Sequence, residues 1–209
     1  MEKNMRLASI LAAAAMVLCL GQGASADLTW YGDGALPGGP GTWDAVAPNW
    51  SPDGTTFQTW ANGENAIFET AGGIVSLDSA VTLGNLTFSA DGYSIVGTLP
   101  ENTLSFDADK TITTDSNAAI SAVITGNGFT KAGLGALTLS GENTLTGGTI
   151  LSAGTLNLNN AAALGTTNAA LVINGGSLGN TSGTDITLAG NRAVTVNGDF
   201  GFSGTNALN

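Results

Sequence analysis

There is no histidine anywhere in these 209 residues. Imidazole bases, histidine-containing triads and histidine-ligated metals are therefore excluded at the outset. Cysteine occurs once, at Cys19, and methionine only at Met1, Met5 and Met16. Beyond residue 26 the chain is free of sulfur, so neither a disulfide nor a thiolate metal site can form there. Cations are nearly as scarce. Past residue 26 only Lys110, Lys131 and Arg192 remain against fifteen acidic side chains, a net charge of −12. Three scattered cations give no footprint for nucleic acid and no polybasic surface for anionic lipid. The excess of acid reads as solubility and self-repulsion outside the cell. Any chemistry would have to run on carboxylates, Lys, Arg, Tyr or hydroxyls.

Residues 1–26 have the form of a secretory signal peptide. Lys3 and Arg6 supply a positive start, and Leu7 to Leu20 an apolar core too short to span a bilayer. Ala24-Ser25-Ala26 gives a small-x-small cleavage site before Asp27. The large Leu18 before Cys19 argues against a lipoprotein anchor. The expected localisation is secreted or cell-surface.

The remainder divides in two. All four tryptophans, Trp30, Trp43, Trp50 and Trp60, fall in residues 27–73 with Pro37, Pro40, Pro48 and Pro52. This section reads as loops and short strands around an aromatic cluster. Residues 74–209 carry no Trp and instead repeat short apolar–polar alternations: "IVSL", "VTLGNLTF", "YSIVG", "TLSF", "ALTLS", "GTLNLN", "LVING", "DITLAG", "AVTVNG", "FGF". Period-two alternation marks strands, and Gly and Asn between them mark sharp turns. No segment shows capped helical periodicity, and "NAAALG" at 160–165 is at most a single turn.

A sandwich or barrel and a β-solenoid both fit an all-β reading. The solenoid is favoured because each strand carries only two or three inward apolar residues, as in Leu137/Leu139, Leu156/Leu158, Leu171/Ile173 and Val194/Val196. Such a strand cannot bury a face alone, but stacked coils can continue one apolar column. In a parallel stack equivalent residues lie about 4.8 Å apart. A repeated charge would repel its own copies there, whereas Leu stacks on Leu and Asn and Thr hydrogen-bond along the ladder. A stretch such as "LTLSGENTLTGGTILSAGTLNLNNAAALG", 137–165, with Glu142 as its one charge, is suited to that repetition.

Residues 128–165, "GFTKAGLGALTLSGENTLTGGTILSAGTLNLNNAAALG", resemble the autotransporter-associated β-strand repeat, also called the passenger-associated transport repeat. Thr130-Lys131 with Gly133 and Gly135 opens it, Leu137 to Gly141 continues it, and Asn143-Thr144 with Thr146-Gly147-Gly148-Thr149 forms its centre. Gly154-Thr155-Leu156 and Ala163-Leu164-Gly165 close it. Leu145 stands where the repeat usually has Tyr. The resemblance implies a right-handed parallel β-helix with an aromatic-rich N-terminal cap, serving as a non-catalytic structural passenger of an exported surface protein. It also implies that the repeat assists passenger export and folding. The strand pattern still running at Phe200/Phe202 leads us to expect a truncated chain. Its expected partner is a C-terminal translocator barrel or another surface anchor outside these residues.

Particular residues raise other functions. The four Trp residues, with Phe57 and Phe68, are expected to cap the first coil, and the alternative is a stacking surface for a surface glycan in an adhesin. Asp107 and Asp109, with Asp115 near, are read as a solvated edge; the alternatives are a Ca²⁺ site or the acids of a β-helical polysaccharide lyase or glycosidase. Lys131 is expected to pair with a turn carbonyl or with Glu142, and Arg192 stands as a second lone cation. No catalytic, cofactor-binding or metal-ligating residue is assigned, and no cofactor is expected.

Overall fold

A computed structural model describes residues 25–32, 36–166 and 168–209, so the expected signal peptide lies almost wholly outside the described residues. Those residues contain strands and turns and no helix. Three sheets, here the first, second and third, run along the chain with nine, eight and four strands. A coil visits each in turn: Asn65–Phe68 lies in the first sheet, Ile74–Leu77 in the second and Val81–Leu83 in the third, and Leu86–Phe88 returns to the first. Along the stack, equivalent strands of successive coils pair in parallel, giving a β-solenoid of about six turns.

The sequence forces this winding through its short runs. "VTLGNLTF" splits at Gly84-Asn85 into two strands of different sheets, because three residues suffice for one rung and a glycine corner turns the chain. Alternation then sends every second side chain inward. One column of the first sheet runs Leu28, Ala66, Leu86, Ile112, Lys131, Leu151, Ile173, Val196. A column of the second sheet runs Tyr93, Ala118, Leu137, Leu156, Leu178, Phe202. Leu137, Leu139, Leu156 and Leu158 are fully buried, each contributing about 1.5–3 kcal/mol relative to exposure. Coil length varies while register holds: the step is 26 residues from Leu86 to Ile112 and 19 from Ile112 to Lys131.

The two ends of the stack differ. At the N-terminal end Trp50–Ser51 runs antiparallel to Asp27–Trp30, closing the edge of the first sheet. Behind it, Trp30, Trp43, Trp50 and Phe68 form one ring-on-ring cluster, with centroids 4.7 Å apart for Trp43–Trp50 and 5.1 Å for Trp30–Trp50. At the other end Val194, Val196, Phe200 and Phe202 are about half exposed, unlike their equivalents in earlier coils, because Val194–Val196 and Phe200–Phe202 are the outermost strands of their sheets. The expected division at residue 73 falls between two strands of a single coil. "DITLAG" forms no strand; Ile186 makes an isolated bridge to Leu208.

Candidate functional site

The aromatic section offers no stacking platform. Trp30, Trp43 and Trp50 have no exposed surface and Trp60 has 5%. A sugar ring could reach them only by unpacking the end of the solenoid, so the reading of these Trp residues as a glycan-stacking surface is overturned and their place is that of a cap. Phe57, 40% exposed, packs edge-on against Tyr31 at 4.9 Å.

The acidic candidates do not converge. Asp107 pairs with Lys110 at 3.5 Å, while Asp115 follows the far end of the strand Lys110–Thr114. Among the described residues no three acidic, His or Cys side chains form a group able to hold a metal ion. Strands contain a single acidic side chain, Asp27, so the other described acids sit in turns and loops. Asp53 shows what such a carboxylate does. It accepts the amide N–H groups of Thr55 and Thr56 at 2.8 and 2.6 Å and both their hydroxyls at 3.0 Å. These bonds hold it far below the usual carboxylate range, making it a loop fastener.

Each lone cation sits in a cradle of carbonyls. In Phe129–Ala132 the alternation puts Thr130 outward and Lys131 inward, in the apolar column between Ile112 and Leu151. Its side chain is fully buried. Nζ donates to the carbonyls of Ala132, Gly133 and Ala153 at 2.8, 2.9 and 3.1 Å, so the expected turn-carbonyl pairing is present. The negative charge of Asp115 in the preceding coil favours the ammonium from a distance. Gly133 and Gly154 both adopt positive φ, and a Cβ on Gly154 would lie 2.8 Å from Nζ, so glycine there is what leaves room for the ammonium. Burial pushes the amine down to about 8. Arg192 repeats the device: its guanidinium donates to the carbonyls of Leu164, Gly165, Ala169 and Ala189 at 2.8–3.2 Å. Burial lowers its pKa as well.

Sequence reasoning misses a set of buried asparagines. Asn143 accepts the Ile124 N–H at 2.8 Å and donates to the Ala163 carbonyl at 2.7 Å, bridging three coils. Asn102 donates to the Leu77 carbonyl at 3.1 Å, and Asn180 to those of Thr184 and Ala207 at 2.8 and 2.7 Å. The parallel between "PEN" at 100–102 and "GEN" at 141–143 is the signal that could have found the first two.

These features define a capped β-solenoid in which Lys131, Asn143 and Asn180 spend their polar atoms on backbone groups. Residues 129–158 match the passenger-associated-transport-repeat family, so the chain carries that repeat at the coils around Lys131. Over 206 residues, 90% of this chain, it is 38% identical to the adhesin BmaC autotransporter of Brucella suis biovar 1 (strain 1330). The chain spans 6% of the length of that curated relative. No solved structure matches.

Proposed function

We propose that this chain is a non-catalytic structural passenger module of an exported cell-surface or secreted protein, whose repeat helps export by folding coil upon coil. The observation that carries the reading is the register of Leu137 on Leu156 and Leu139 on Leu158 within the matched repeat. A rung buries its leucines only against a neighbour, so each coil that emerges creates the surface on which the next is stabilised. The absence of Cys beyond residue 26 supports the reading, since no disulfide can lock the chain before export. The similarity to an autotransporter adhesin supports a translocator barrel as the partner outside these residues. The test is surface display, read by protease accessibility on intact cells. Leu139→Asp and Leu156→Asp should reduce it severely, whereas the outward substitution Thr138→Asp should leave it near wild type. Undiminished display of both core variants would sink the proposal.

A second reading, adhesion, draws on the similarity to a protein that is itself an adhesin. Binding of the purified chain to a host or matrix surface, with Thr138→Asp as a fold-neutral control, tests it.

A further inference from the structure

At the corner between the second and third sheets, the exposed residues 98–101 form a wall. They belong to the 26-residue step from Leu86 to Ile112, seven residues longer than the step that follows. Asn102, 4% exposed, fixes the wall from inside: Nδ2 donates to the Leu77 carbonyl at 3.1 Å and to Thr98 Oγ1 at 2.7 Å. Its backbone N–H closes a turn onto the Leu99 carbonyl at 3.0 Å. Leu99 is left 55% exposed, with Pro100 beside it. The next coils pass this corner more tightly, through Ser121 and Ala122, then Ser140, Gly141 and Glu142, then Asn160. The result is an open groove of about 490 Å³ lined from four successive coils.

We propose that this groove binds an extended, uncharged oligosaccharide. One wall is apolar, Leu99 and Pro100, and suits the C–H face of a pyranose ring. The floor is polar. Ser121 and Ser140 lie one rung apart, since Ile120 pairs with Leu139, and both are exposed. Glu142 adds a carboxylate acceptor for vicinal hydroxyls, and Asn160 is held in place by donating to the Ser140 carbonyl at 3.2 Å. Rungs about 4.8 Å apart put polar groups at intervals close to the rise of one sugar residue in an extended β-linked glycan, and four coils give about 14 Å, room for about three rings. A groove of this volume is in the range of small-ligand sites. Glu142 is the single charged residue in the lining, and the net charge of −12 beyond residue 26 repels acidic glycans. With no aromatic platform, affinity has to accumulate over several rings. The proposal is independent of export, because binding is read on purified protein and display on cells.

The experiment titrates the purified chain with β-1,4-linked gluco- and chito-oligosaccharides of two to six residues, with polygalacturonate as the acidic probe. A neutral series should bind, its affinity rising to three or four residues and then levelling. Glu142→Gln should weaken it several-fold and Ser140→Trp, which fills the groove, at least tenfold, while Phe57→Ala in the cap changes nothing. Circular dichroism checks the fold, and if Ser140→Trp perturbs it, the isosteric Glu142→Gln decides the matter. Absence of binding across both neutral series, preference for polygalacturonate, or affinity unchanged in Glu142→Gln overturns the proposal.

Discussion

Lys131 and Ala153 sit one coil apart, and the lysine ammonium donates to the alanine carbonyl at 3.1 Å from within an apolar column. The same ammonium holds Ala132 and Gly133 of its own turn, so one buried charge ties two corners together. Burying an ion is costly even when it is well bonded, and such groups are kept in some proteins because they specify register.

That burial has a pH signature. The amine falls from an ordinary 10.5 to about 8 in the folded chain. Between those values the unfolded chain holds a proton that the folded chain has released, so this group makes stability rise as pH climbs from about 8 towards 10.5. Tyr93 opposes it at higher pH. Burial pushes its phenol from 10.0 up to about 12, so its contribution is complete below pH 10 and is lost from there to about 12. The unfolding free energy of wild type minus that of Lys131→Met, followed by urea titration, should therefore rise between pH 8 and 10. A flat difference would show that the amine titrates normally.

The aromatic cap should be worth more than its polar atoms. Trp50→Ala is expected to cost about 3–5 kcal/mol, as for a large core truncation. Trp60→Phe is expected to cost under about 1.5 kcal/mol, because the Trp60 indole N–H has no hydrogen-bond partner among the described residues. Urea denaturation followed by the loss of near-ultraviolet dichroism measures both.

Asn143→Ala orphans the Ile124 N–H and the Ala163 carbonyl, at about 1–3 kcal/mol for each buried group. Amide exchange at Ile124 should accelerate more than at Ile120, whose pairing in the second sheet is untouched.

Glycines at the corners are predicted to be unequal. A Cβ on Gly128 would overlap the Gly148 carbonyl oxygen of the next coil, whereas one on Gly175 meets its first neighbour at 3.5 Å. Gly128→Ala should fall at or above the top of the ~1–3 kcal/mol range for overpacking, and Gly175→Ala close to neutral. Melting temperatures of the two variants make the comparison.

What the sequence made legible was the rung. Leu137/Leu139 and Leu156/Leu158 are too few per strand to close a core alone, and the observed parallel register is the arrangement that lets them do so. Val194/Val196 follow the same alternation yet stay half exposed, since burial depends on a neighbouring strand that the alternation does not record. Lys131 was legible as a turn partner but not as a core residue. Its alternation with Phe129 points inward, against the chemistry of an ammonium, and only the three carbonyls reconcile the two. Asn143 was hidden because an asparagine in a corner looks the same whether it faces solvent or threads three coils. The tryptophans were legible as a cap, but whether their rings faced outward depended on the antiparallel strand Trp50–Ser51, which is too short to announce itself.

The unequal coil lengths carry a practical corollary. Seven extra residues enter between Leu86 and Ile112, relative to the 19-residue step that follows, and the inward columns keep their pairing. Length is thus absorbed at a bend, where enlarging a closed loop costs only about 0.6 kcal/mol per doubling. A foreign peptide spliced at Pro100–Glu101, both exposed, would ride on a scaffold whose spine is indifferent to it, so this bend can carry an epitope or a reporter tag at the expense of the groove wall that Leu99 and Pro100 form.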